Sequence, residues 1–128
     1  VTERYQVTAQ KVYLEFDDKD PEAKSYYEVD FAAVIDAGFE LTGTPVVEIE
    51  AAGNGESPLE LESVDPAAVA PPDSRGSPPL ATAVSFWLTG GTSGVRYRGK
   101  IKCDTTGAGS PAPTKTLVKR FYVVARLT

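Results

Sequence analysis

The sequence predicts an all-β chain: an antiparallel β-sandwich of immunoglobulin-like type, with about seven strands and loops rich in proline and glycine. Three observations predict it. Apolar and polar residues alternate with period two in short stretches along the chain, clusters of Gly, Pro and Asn separate those stretches, and no segment carries the spacing of an amphipathic helix. With 128 residues, 41% of them hydrophobic and 24% charged, the chain can bury one core without disulfides or metals.

The first elements are irregular. Between Arg4 and Phe16, Tyr5, Val7 and Ala9 are out of phase with Val12, Leu14 and Phe16. A change of phase near Gln10-Lys11 implies a bulge, a bend, or an arm followed by a strand, because a one-residue slip moves every side chain to the other face. Residues 1–16 are therefore read as an N-terminal strand or arm, and 17–128 as the sandwich domain. DDKDPE, residues 17–22, reads as a solvated turn fixed by Pro21. Tyr27, Val29 and Phe31 alternate with Glu28 and Asp30 as a short strand. AAVIDAGFEL, residues 32–41, fits either a strand with a loop or a short helical turn, and the strand with a loop is preferred.

From Pro45, Val47, Ile49 and Ala51 oppose Glu48 and Glu50, and Gly53-Asn54-Gly55 closes the strand as a turn. Leu59 and Leu61 alternate with Glu60 and Glu62. Residues 65–79 hold five of the ten prolines with no periodic pattern; they read as a proline-rich insertion, since Pro cannot donate to a central ladder. Val84, Phe86 and Leu88 then share one side of a strand, with Trp87 on the other. After GGTSG, residues 90–94, Val95, Tyr97, Ile101 and Cys103 oppose Arg96, Arg98, Lys100 and Lys102. These two segments are expected to form an antiparallel hairpin. In the last strand Phe121, Val123, Ala125 and Leu127 lie on one face.

Composition narrows the chemistry. There is no histidine, which removes the usual general base, the commonest metal ligand and the Ser-His and Cys-His nucleophile pairs. Cys103, the lone cysteine, excludes an internal disulfide and reads as a small buried apolar residue. No stretch approaches the roughly 20 apolar residues of a membrane span, and the first ten residues lack the character of a signal peptide; synthesis in the cytoplasm is the simpler expectation. Asp17, Asp18, Asp20 and Glu22 lack the ligand spacing of a calcium loop. The Glu48/Glu50 and Glu60/Glu62 pairs lie on exposed strand faces and imply no glycosidase pocket. The reading is of a non-enzymatic protein with no cofactor and no metal.

Charge is divided along the chain. Residues 1–94 carry 17 acidic and 5 basic side chains, and residues 95–128 carry 1 acidic and 8 basic. Arg96, Arg98, Lys100 and Lys102 share one sheet face and are candidate partner contacts. No aromatic residue is interleaved among them to stack bases, which disfavours nucleic acid. Their complement is either in the same chain, on Glu48, Glu50, Glu60 and Glu62, or on a neighbouring copy. Trp87 is a further candidate contact, and Tyr5 and Val7 are candidates if the N-terminal arm adds a strand to a neighbour's sheet.

KDPEAKSYYEVDF (residues 19–31), PVVEIEA, VSFWLTGGTSGVRYRGKIKCDTTG and VKRFYVVARL, in that order, resemble a family of small tailed-phage virion proteins, the fibre-tail adaptors. That family runs through a Lys-Asp-Pro-Asp/Glu start, a Tyr-x-Val-Asp-Trp/Phe strand, a Leu-Thr-Gly-Gly-Thr-like hairpin turn and a closing strand ending in an Arg-Leu-Arg-like tail. The resemblance covers roughly residues 19–128, and the sequence departs from it in the N-terminal extension through Asp18, the insertion at 65–79 and a lengthened loop at 104–115. The resemblance implies a β-sandwich connector in the virion tail, baseplate or fibre-attachment region, made in the host cytoplasm. It implies other virion proteins as partners, a homo-oligomer or multiple copies, and neither nucleic acid nor membrane as a partner. A head-tail neck connector and a carbohydrate- or receptor-binding module are the alternatives.

Overall fold

A computed structural model of the protein describes residues 2–8, 13–35, 39–50, 59–64, 81–106 and 114–126. The proline-rich stretch 65–79 and most of the loop 104–115 lie outside the described residues. Among the described residues, eight strands form two four-stranded sheets. One sheet contains β1 (Thr2–Gln6), β3 (Ser25–Asp30), β6 (Ala83–Gly90) and β5 (Leu59–Val64), in the order β1-β3-β6-β5. The other contains β2 (Tyr13–Glu15), β8 (Thr114–Val124), β7 (Arg96–Thr106) and β4 (Glu40–Glu50), in the order β2-β8-β7-β4. The orders β3-β6-β5 and β8-β7-β4 are those of an immunoglobulin-type sandwich, and the N-terminal segment is split between the two sheets as β1 and β2.

The split explains the phase change in the N-terminal sequence. β1 pairs with β3 and β2 pairs with β8, both in parallel, so the chain leaves one sheet and enters the other between them. The remaining pairings are antiparallel, which makes both sheets mixed rather than purely antiparallel. Residues 32–34 form one turn of 3-10 helix where a strand and loop are expected. Just before it the Asp30 Oδ1 accepts the Ala32 amide at 2.9 Å, a local side-chain bond that competes with extended structure. β4 begins at Glu40, earlier than Pro45, because a register shift between Thr42 and Val46 absorbs Gly43 at φ 71° and the donor-less Pro45.

The expected hairpin between the segments around Trp87 and Arg96 does not form. β6 belongs to one sheet and β7 to the other, and the glycine-rich turn carries the chain across. Gly90, Gly91 and Gly94 all take positive φ, and the Tyr97 hydroxyl accepts the Thr92 amide at 2.7 Å. A tyrosine at the start of a strand, bonded back to the backbone just upstream, is the corner that fixes this sheet-to-sheet crossing in immunoglobulin-like folds. β7 pairs instead with β8 on one side and β4 on the other.

Alternation along β7 and β8 sends Tyr97, Ile101, Cys103, Phe121 and Val123 inward against Tyr27, Val29, Val84, Phe86 and Leu88. Phe16 lies between the sheets. Its ring centroid is 4.4 Å from Tyr5, 4.8 Å from Tyr27 and 4.6 Å from Phe121, and such stacked contacts add to the area each ring buries. Opposite Phe121 stands Gly99, whose missing side chain leaves the space that the phenyl ring fills; a Cβ there would meet the ring Cζ at 2.1 Å.

Candidate functional site

The sheet face predicted from the β7 alternation exists: Arg96, Arg98, Lys100 and Lys102 all point away from the core. Register completes it from neighbouring strands. Tyr13, Arg120, Lys100 and Glu48 form one row across β2, β8, β7 and β4, and Glu15, Tyr122, Arg98 and Glu50 form the next. On the other side of the first row, Val118, Lys102 and Val46 line up. The basic strands are thus central, with acidic residues on the edge strands.

This arrangement places complementary charge within one chain. Lys100 Nζ is 3.3 Å from a Glu48 carboxylate oxygen, an exposed pair worth about 0.2–1 kcal/mol. Glu60 and Glu62 belong to the other sheet, where β5 pairs with β6, so the Glu48/Glu50 and Glu60/Glu62 pairs stand on different sheets. Arg96 serves the fold. Its guanidinium bonds Glu15 and lies 3.8 Å from the Tyr122 ring centroid, while Tyr13 meets Tyr122 edge-on at 4.8 Å. Together these side chains clamp the short β2 onto the sheet.

Aromatic rings therefore do accompany the cations, supplied by β2 and β8 rather than β7. Extending the β8 alternation outward through Arg120, Tyr122 and Val124 is the sequence signal for Tyr122. The phase change in the N-terminal segment hides Tyr13. Tyr13, Val46 and Val118 are the exposed large hydrophobic residues among those described, at 43%, 46% and 46% exposure, and all three stand on this face.

Two predicted contacts are turned the other way. Val7 is buried, with 3% exposure, and its amide donates to the Asp30 carbonyl at 2.9 Å. Tyr5 stacks on Phe16, and its hydroxyl accepts the Asp17 amide at 2.9 Å. Both residues serve this chain's own core, because β1 adds to its own β3. Trp87 does lie on the outer side of its sheet, half-buried. The Tyr26 ring is 4.8 Å away, and the Lys24 ammonium sits 4.7 Å from the indole centroid, so one indole face is already covered.

The loop at 17–24 is built around Lys19, a residue that neither periodicity nor charge pattern marks as buried. Lys19 is buried at 2% exposure, and its ammonium donates to the carbonyls of Asp20 at 2.9 Å, Ala23 at 2.5 Å and Gly90 at 3.0 Å. Three carbonyls meet all three donors, which is how a charge is tolerated there. The Lys19 amide donates to Val124 O and its carbonyl accepts from Arg126 N, so one residue ties together the loop, the end of β8 and the glycine turn after β6. Asp18 faces outward to Arg126 at 3.5 Å, and Asp20 Oδ1 accepts the Glu22 amide at 2.9 Å. Among the described residues no group of carboxylates and thiols could hold a metal ion, and no helix is long and apolar enough to cross a membrane.

Cys103 is buried against the core, and desolvation, assisted by Asp104, pushes its thiol up to about 12 from 9.0. Unfolding exposes a thiol that ionises near its ordinary value. The contribution of Cys103 to stability is therefore complete below about pH 9 and lost as pH rises toward 12. Burial lowers Lys19 from 10.5 against the opposing pull of Asp20, so Lys19 acts in the opposite sense at alkaline pH. Urea midpoints of the wild type and Cys103→Ala, compared at about pH 8 and about pH 10.5, isolate the cysteine: the gap between the two proteins shifts in favour of the variant at the higher pH. A gap independent of pH would contradict the burial.

No protein-family description and no curated protein matches the sequence. Among solved structures, a cysteine protease inhibitor from Entamoeba histolytica is similar at 12% identity and a TM-score of 0.37, with 98% of this chain and 97% of that one covered.

Proposed function

We propose that this protein is a non-enzymatic assembly protein of a tailed-phage virion, an adaptor or connector in the tail, baseplate or fibre-attachment region, that works by binding other virion proteins. The observation that carries the binding role is the outer face of the β2-β8-β7-β4 sheet. There the exposed Tyr13, Val46 and Val118 are interleaved with Lys100, Lys102 and Arg120, a mixture of apolar and cationic groups suited to a protein surface. Support for the family comes from the resemblance, and its segments are physically joined. Lys19 of the Lys-Asp-Pro start bonds Gly90 of the glycine turn and pairs with the closing strand through Val124 and Arg126. What the resemblance treats as separate motifs is one structural knot.

The test is to remove the coding sequence from the phage genome that carries it and inspect the particles. Heads and tails that form but fail to join, or that lack their fibres, are expected, with rescue by the gene supplied in trans. Complete infectious particles would overturn the reading. The second reading, recognition of a carbohydrate through Trp87, is weakened by Lys24, which lies over the indole. Saturable glycan binding by the isolated protein, lost in Trp87→Ala, would be needed to prefer it.

A further inference from the structure

We infer that the row Val46, Lys102 and Val118, on the outer face of the β2-β8-β7-β4 sheet, is a docking strip for one amphipathic helix of a partner protein. The helix would carry a carboxylate between two apolar residues. This names the contact and the partner's chemistry for the connector role above, and it rests on that reading only for the partner's being a virion protein. The three residues stand side by side on β4, β7 and β8. Lys102 is exposed, and the valine on each side of it is 46% exposed. Neighbouring charges on the face are already engaged. Lys100 is met by Glu48 at 3.3 Å and Arg96 by Glu15, while Asp104, two residues along from Lys102, accepts the Thr116 hydroxyl at 2.6 Å. No acid among the described residues pairs with Lys102. It leaves an uncompensated charge between two exposed apolar side chains.

Spacing chooses the occupant. Arg120, Lys100 and Glu48 form the row on one side of the strip, and Thr116, Asp104 and Thr42 the row on the other. The apolar strip is therefore one row deep and runs across the strands, too narrow for the broad apolar contact of a second sheet. Paired strands lie about 4.8 Å apart, which separates the two valines by roughly 9.6 Å. Helix residues i and i+7 are about 10.5 Å apart along the axis, with i+3 or i+4 between them on the same face. Alternate residues of an extended segment repeat at about 6.7 Å, so three of them span about 13 Å and overshoot the row. A second copy of this chain does not fit. Its helical element among the described residues is the single turn at 32–34. Its exposed large hydrophobic residues among those described are Tyr13, Val46 and Val118, on this same face, where two-fold pairing would set Lys102 among like charges.

The probe is a labelled, capped, alanine-based peptide of about eighteen residues, long enough to populate a helix, with leucine, glutamate and leucine at positions i, i+4 and i+7. It should bind the isolated protein, and the same peptide with lysine in place of glutamate should bind about tenfold more weakly or worse. Lys102→Glu should reverse that preference. The reversal guards against a variant that merely unfolds, because only a folded surface can gain the lysine peptide. Val118→Thr, which trades an exposed methyl for a hydroxyl, should weaken binding of the glutamate peptide about threefold. No binding of the glutamate peptide, equal binding of the two peptides, or a preference unchanged by Lys102→Glu would overturn the inference. Self-association of the wild type that Lys102→Glu abolishes would also overturn it, since that assigns the strip to a second copy. Peptide binding is read on the isolated protein and particle assembly on the phage, so the two proposals fail separately.

Discussion

Replacing Gly99 by alanine is expected to destabilise the protein by about 3 kcal/mol, the upper end of the usual cost of overpacking a core. The added methyl would fall 2.1 Å from the Phe121 Cζ, with two further ring atoms at 2.5 Å and 2.6 Å. The ring has nowhere easy to go: Phe121 is fully buried and stacked on Phe16. Backbone conformation is not the obstacle, since Gly99 lies in the regular β7–β8 ladder. A urea midpoint that falls sharply in Gly99→Ala and recovers in part in Gly99→Ala with Phe121→Leu identifies the cause as a collision with one ring. Near-wild-type stability of the single variant would mean that the ring does not sit over the glycine.

Phe16→Ala is expected to cost about 3–5 kcal/mol, in the range of buried phenylalanine truncations. Phe16 contacts rings from both sheets, with Tyr5, Tyr27 and Phe86 on one side and Phe121 on the other. Truncation to alanine would leave those four rings facing a void. Since a domain of this size has a total stability of about 5–15 kcal/mol, the variant should be marginal, which thermal unfolding measures directly. The same packing decides the outcome of deleting residues 1–16. An arm reaching to a neighbour would leave the monomer folded when removed. This segment supplies β1, β2, Val7 and Phe16 to its own core, so its removal is expected to abolish folding.

How much of the fold and the site is legible in the sequence depends on the range of the interaction. Alternation along β7 places Tyr97, Ile101 and Cys103 inward and the four cations outward, and both assignments agree with the structure because side-chain direction is a local property of an extended strand. Trp87 on the outer side of its sheet follows from the same rule. Pairing is not local. The glycine turn at 90–94 looks like a hairpin in sequence and crosses between sheets in space; the signal that distinguishes the two is Tyr97, whose hydroxyl returns to Thr92. The phase change near Gln10 is visible, but the destination of each half is not, which is why the sequence alone offers Tyr5 and Val7 as partner contacts. By periodicity and composition Lys19 looks like any lysine in an acidic turn, and only the resemblance marks it, as the start of the Lys-Asp-Pro segment. Its role comes from a carbonyl 71 residues away, and no composition or period records that. The charge division is plain in the sequence, and register supplies part of its complement within the chain: Glu48 stands beside Lys100, so screening by salt should affect that pair.

The outer face of the β2-β8-β7-β4 sheet is the surface we propose for other proteins, and the resemblance suggests which proteins. The most direct measurement is immunogold electron microscopy of gradient-purified phage particles, with antibodies raised against the folded protein. Discrete labelling at one end of the tail or at the neck is expected, with the protein recovered in the particle fraction at a fixed number of copies. Unlabelled particles, with the protein confined to the soluble fraction of the lysate, would contradict a place in the virion.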